Sequence, residues 1–151
     1  MPGPAFEAIR DFFERAQVAR RATRPLAADA EVALDLAGGP ARFSMEGGRA
    51  AVADGPARDP DFTLAIPDQA AARLTGLVGA DAGTVGIEFF QLLLDRAPDR
   101  RIRVRIHAST ARLLGRGYLG VVALGGLSLA VWLVKRGVAN PRSAIERLRG
   151  R

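Results

Sequence analysis

The side chains best suited to acid–base or metal chemistry are scarce: the 151-residue chain has one histidine, His107, and no cysteine. A thiolate zinc site, a cysteine nucleophile and a disulfide framework are thereby excluded. One imidazole is too few for a polyhistidine metal site and makes an ordinary Ser-His-Asp relay hard to build. His107 closes an alternating run with Arg101, Arg103 and Arg105, so it is expected as a solvated or hydrogen-bonded side chain on a basic strand face. Asp59 and Asp61 flank Pro60 and read as turn and solubility residues. A literal G-x-G-x-x-G stands at Gly115, Gly117 and Gly120, but seven residues separate it from the preceding strand and only 31 follow it. A dinucleotide site needs a direct strand-to-helix turn and further βαβ units, so close packing at glycine is the better account. Neither G-x-S-x-G nor a P-loop occurs. No catalytic residue, metal ligand or cofactor is expected.

The elements that would position these residues follow from periodicity. Apolar residues at Phe6, Ile9, Phe12, Phe13 and Ala16 have helical spacing and predict an amphipathic helix over about 5–22. Between 31 and 66 the period drops to two and turn residues become dense, which predicts strands at 32–36, 41–46, 49–53 and 61–66, with Gly47-Gly48 in a tight hairpin. Asp68 is placed to cap a short helix ending at Gly76. A second helix is predicted over 84–97, rich in Phe and Leu, and a fifth strand carries Ile102, Val104 and Ile106 against the basic face. A short basic helix over 140–150 ends the chain. Length and a hydrophobic content of 48% fit one domain over 1–151, with an apolar and basic helical extension from 110.

Charge is uneven. Residues 1–95 hold 9 Arg against 14 acids, whereas 96–151 hold 13 Arg or Lys against 2 acids. An anionic partner should therefore meet the C-terminal third. Arginine supplies 21 of the 22 cations, the coding habit of a G+C-rich genome, for which a bacterial source is expected, so the preference for Arg over Lys carries no functional weight. Nucleic acid is disfavoured because the only aromatics of that third, Tyr118 and Trp132, lie inside an apolar run and offer no stacking platform. An anionic membrane surface fits better, with Arg101, Arg103, Arg105, Arg112, Arg116 and Arg136 as the docking cations. The run itself, 117–134, is 18 residues without a charge. As a straight helix it would reach ~27 Å, at the lower limit for spanning a bilayer. Its four glycines and one serine favour a buried helix or lid over the sheet, with a membrane dip or a span as alternatives. The N-terminus lacks a secretory pattern, and a cytoplasmic protein, peripherally membrane-associated, is expected.

The order of pieces resembles the sterol carrier protein type 2 (SCP2) lipid-binding domain. The matching pieces are 32–43, Asp61-Phe-Thr-Leu-Ala-Ile-Pro-Asp68, Leu74-Thr-Gly76, Phe89-Phe-Gln91 and 101–106, together covering roughly residues 5–120. The resemblance implies an α+β fold: a five-stranded, mainly antiparallel sheet with helices packed on one face, enclosing an apolar tunnel for sterol, fatty acyl or isoprenoid lipid. Two departures are plain. Residues 92–100 intervene before the last strand, and the extension from Tyr118 is longer and more apolar than the family's usual terminal helix. The expected function is a non-catalytic lipid carrier that exchanges cargo at membranes. Phe89, Phe90, Leu93, Leu114, Tyr118, Val122 and Trp132 are expected near the ligand. The alternative is an accessory or scaffold subunit for lipid- or quinone-modifying enzymes.

Overall fold

A computed structural model describes residues 3–123, 131, 132 and 134–136, without the side chains of 119, 122 and 123. The order of elements is α1 (Pro4–Arg15), α2 (Gln17–Ala22), β1 (Glu31–Leu36), β2 (Gly39–Glu46), β3 (Arg49–Asp54), β4 (Phe62–Ala65), α3 (Asp68–Thr75), α4 (Ala82–Leu94), β5 (Arg103–Ile106), α5 (Thr110–Gly115) and α6 (Tyr118–Ala123). The strands form one sheet in the order β3-β2-β1-β4-β5, with β1 and β4 parallel and every other pair antiparallel. The α+β class and the five-stranded sheet implied by the resemblance are present; the described residues do not show the tunnel.

Period-two patterning places the core. Val32, Leu34 and Leu36 of β1 face one way, and register aligns them with Phe43 and Ala41 of β2 and Phe62 and Leu64 of β4. Leu64 and Phe62 then pair with Val104 and Ile106 of β5. Against this face α1 lays Phe6 and Ile9, α3 its Ala70 and Ala71, and α4 its Leu92 and Leu93. The small alanines of α3, both essentially unexposed, let its backbone approach the core closely.

Two helix boundaries differ from expectation for identifiable reasons. The helix expected through 22 breaks at Ala16, whose backbone is extended (φ −66°, ψ 129°), so that Val18 and Ala19 join Phe12 and Ala16 in a second cluster with Val85 of α4 packed on it. Helical spacing carries the apolar stripe through this point, but burying it against α4 needs a change of direction. The helix expected over 84–97 starts at 82, because Asp81 caps it by accepting the Thr84 N–H at 2.8 Å. That amide holds the Asp81 carboxyl below its ordinary range. It ends at Leu94, where Asp95 turns extended and accepts the Ala97 N–H at 2.9 Å. The turn returns the chain so that Ile102 N donates to Leu92 O at 3.1 Å, locking α4 to the start of the last strand.

Leu92 and Ile102 are each 1% exposed. Ile102→Ala should therefore destabilise the fold by about 2–5 kcal/mol, the range for truncating a fully buried aliphatic side chain. Urea denaturation followed by circular dichroism measures this, and an exposed control such as Val78→Ala, 58% exposed in the native chain, should move the midpoint little.

Candidate functional site

Two features meet where the C-terminal third returns to the sheet: a buried ionic cluster and an apolar surface left half-covered. The cluster centres on Asp61, which is 0% exposed. Its Oδ1 accepts from Arg116 Nη1 at 2.6 Å and its Oδ2 from the Tyr118 hydroxyl at 2.6 Å and the Glu31 N–H at 3.3 Å. Arg112 Nε is 3.0 Å from Oδ1 as an ion pair, yet lacks hydrogen-bond alignment. Two outer acids share the guanidinium groups: Asp59 with Arg112 at 2.8 Å and Asp29 with Arg116 at 3.1 Å. The hydrogen bond to Asp59 is the first reason that Arg112 is held protonated above its ordinary range.

Local structure puts these groups in place. Ser109 caps α5 by accepting the Arg112 N–H at 3.1 Å, which starts the helix that carries Arg112 to the cluster. Gly117 then reverses direction at φ +91°, and a Cβ there would lie 1.9 Å from Pro25 O. At Gly120 a Cβ would lie 2.6 Å from the Pro25 ring. Ala27 N–H donates to Arg116 O at 2.8 Å, so α5 and α6 are clamped on the 25–27 loop. Gly117 and Gly120 of the glycine pattern thus serve close packing, whereas a Cβ at Gly115 would meet open space.

This corrects the reading of Asp61 as a turn and solubility residue. In sequence it sits in a proline-rich loop among other exposed acids; only the fold brings two arginines and a tyrosine from more than fifty positions away. Their spacing alone carries no signal for the pairing. Arg112 and Arg116, expected as docking cations, are engaged by carboxylates.

The apolar surface lies at the β4–β5 end of the core. There Phe62, Leu64 and Val104 are half-buried, in contrast to the buried Val32, Leu34, Phe43 and Val52 of the neighbouring strands. Phe89 and Phe90 of α4 pack against the core and remain half-buried, with rings 5.7 Å apart edge to face. Trp132 tilts over Phe90 at 6.3 Å, and Tyr118 meets Phe62 edge to face at 5.1 Å. Of the residues expected near a ligand, Phe90 and Trp132 are in contact with each other, Phe89 adjoins Phe90 and Tyr118 lies across Phe62. Leu93 is buried in the core, Leu114 is exposed, and the Val122 side chain lies outside the described residues. Phe62 and Leu64, which line the same surface, read in sequence only as strand residues. Among the other expected docking cations, Arg103 and Arg105 are exposed, Arg101 is half-buried, and Arg136 covers the Trp132 ring at 5.1 Å. His107 is exposed and its Nε2 is 2.7 Å from the Thr63 hydroxyl, as a hydrogen-bonded side chain on the basic face.

A surface depression between α1 and the end of α3, bordered by Asp11, Phe12, Arg15 and Thr75, includes none of the expected ligand residues. Among the described residues no cluster of His, Asp or Glu could hold a metal, and no helix is long and apolar enough to cross a membrane. Much of the 117–134 run and all of 140–150 lie outside the described residues.

No family model and no curated protein matches the chain. The fold is similar to a solved structure titled "UbiJ-SCP2 Ubiquinone synthesis protein", at 14% identity and a TM-score of 0.45, over 81% of this chain and 90% of that one.

The cluster makes two measurable demands. Removing the Asp61 charge orphans buried donors, so Asp61→Asn should cost about 3–5 kcal/mol in urea denaturation. Burial first, then the bond to Asp61, push the Tyr118 phenol up from its ordinary value. A raised folded pKa favours the protonated native state; that contribution is full below the unfolded value of ~10 and is lost as pH rises towards the folded one. Stability should fall above pH ~10, and Tyr118→Phe should flatten that alkaline slope in a pH series of thermal melts.

Proposed function

We propose that the protein binds the apolar chain of a lipid at the β4–β5 end of its core and holds it without catalysis. The observation that supports this reading best is the uneven closure of the core. Its β1–β3 half is sealed by α1 and α3, whereas Phe62, Leu64, Phe89, Phe90 and Trp132 keep aromatic and aliphatic surface partly in water. Leu94, at 43% exposure, extends this surface along α4. Soluble proteins seldom leave contiguous apolar area open without a use for it.

An acyl or isoprenoid chain needs no polar partner to be taken up by such a surface. At ~0.8 kcal/mol per buried methylene, about a dozen carbons gain roughly 10 kcal/mol before the costs of ordering are subtracted. Binding is therefore a sufficient activity. The same surface serves a carrier that exchanges its cargo at a membrane or an accessory that presents lipid to a modifying enzyme. Vesicle-to-vesicle transfer separates them: a carrier speeds movement of a fluorescent lipid between donor and acceptor vesicles, and an accessory binds without speeding it.

Trp132 is the chain's single tryptophan and sits beside Phe90, so it reports directly on occupancy. Titration with a fluorescent fatty acid should give saturable uptake together with a change in tryptophan emission. Phe90→Ala removes one wall of the surface without touching the Asp61 cluster and should weaken uptake roughly tenfold, matching loss of one to two kcal/mol of aromatic contact. No saturable uptake and no co-purifying lipid in native mass spectrometry would overturn the reading.

A further inference from the structure

Once the ion pairs are set aside, the sheet's second face carries cations that no acid answers. Register fixes the set: Arg42 of β2 pairs with Ala33, Ala33 with Thr63, and Thr63 with Arg105, so the four share one row across the sheet. One row along, Ala65 pairs with Arg103. Arg42, Arg103 and Arg105 make no ion pair among the described residues, in contrast to Arg112 and Arg116. The acids on this face are Glu31, Asp35 and Glu46: Glu31 is turned onto the Arg58 and Asp59 amides at 2.7 and 2.8 Å, Asp35 lies two strands from Arg103 in its row, and Glu46 stands opposite Arg49 at the far end of β2. Between the arginines the side chains are small, Ala33 and Thr63 in one row and Ala65 in the next; Arg103 and Arg105 are exposed and Arg42 is half-buried. At ~4.8 Å per strand, Arg42 and Arg105 lie about 14 Å apart. The helices that pack on the sheet, α1, α3 and α4, bury their residues on the opposite face.

We infer that this face docks flat on an anionic lipid leaflet, with Arg42, Arg103 and Arg105 as the contact cations and not the arginines of the Asp61 cluster. The inference deepens the lipid-binding reading and rests on it for the choice of a lipid surface. The row that runs from Arg42 to Arg105 holds no acid, and this local excess of positive charge on a flat sheet face matches a planar anionic surface. The ring on this face is the His107 imidazole, hydrogen-bonded to the Thr63 hydroxyl, so the face lacks the successive aromatic rings on which nucleic-acid bases would stack. β5 joins the two functions: Arg103 and Arg105 point to the docking face, whereas Val104 and Ile106 point to the half-covered apolar side. A bound leaflet would thus lie one strand away from the lipid surface.

The test is co-sedimentation of the full chain with vesicles of phosphatidylcholine, with and without phosphatidylglycerol. Binding should require phosphatidylglycerol and weaken with salt. The variant R42Q/R103Q/R105Q should lose roughly fivefold per arginine, about a hundredfold in all. A charge-matched control, R20Q/R21Q/R24Q, removes three exposed cations from α2 and the loop after it and should bind like the parent. Thermal melts of both variants confirm folding. Equal losses in the two variants would show a response to net charge alone; undiminished binding of the sheet variant, or no vesicle binding by the parent, places docking elsewhere or on an acidic protein. Each of these overturns the inference. Fatty-acid uptake measured on the same samples is independent: the sheet variant should keep it, and a parent that binds vesicles through these arginines yet takes up no fatty acid would defeat the lipid-binding reading alone.

Discussion

A carboxylate taken wholly out of water must be answered by donors, and Asp61 is answered from three directions. Its side chain receives Arg116, Tyr118 and the Glu31 amide. Its backbone is equally committed: its N–H donates to Glu31 O at 2.8 Å, and its carbonyl accepts from His107 and Ala108 at 3.0 and 2.9 Å. One residue therefore joins the start of β1, the start of β4, the end of β5 and the α5–α6 segment. Buried ion pairs contribute little net stability against an apolar alternative, because desolvation offsets attraction. What such a cluster supplies is position. Tyr118 reaches Asp61 only if α6 leaves Gly117 in the observed direction, and that places the Tyr118 ring on Phe62.

The position of α6 matters because the helical layer covers the sheet unevenly. Three helices bury residues against the β1–β3 end and its neighbourhood, and the apolar face thins out towards β4 and β5. Tyr118 and Trp132 contribute rings at this thin end without closing it. The result is a fold sealed over one half of its sheet and half-covered over the other, where the proposed lipid surface lies. This division permits apolar side chains to stay half-wet without unfolding the chain, since local openings at such an end need not disturb the sealed half.

Electrostatics divide in the same manner. Counted along the chain, the C-terminal third is strongly basic. In three dimensions two of its arginines are matched by Asp29, Asp59 and Asp61 from the acidic N-terminal portion, so part of that asymmetry cancels inside the molecule. The arginines of β5 stay unmatched and are joined by Arg42 of β2, which sequence position separates from them by some sixty residues. The row of unpaired arginines is consequently a property of sheet register.

Much of the fold was legible from periodicity alone. Alternation in 31–66 and 102–106 marks strands with one apolar face, and turn residues such as Gly47-Gly48 bound them, because side-chain period and turn chemistry are local properties of the chain. The aromatic pair Phe89-Phe90 and the basic face of β5 were visible for the same reason, as was the close-packing role of the glycines at 117 and 120. Local patterns do not decide where a stripe is buried, and so the break at Ala16, which redirects Val18 and Ala19 towards α4, depends on the partner helix. Nor do they decide which charges meet. Asp61 looked like its exposed neighbours until the sheet brought it under Arg112, Arg116 and Tyr118. A carboxylate's burial and partners are set by contacts between segments distant in sequence, and only the tertiary structure brings those segments together.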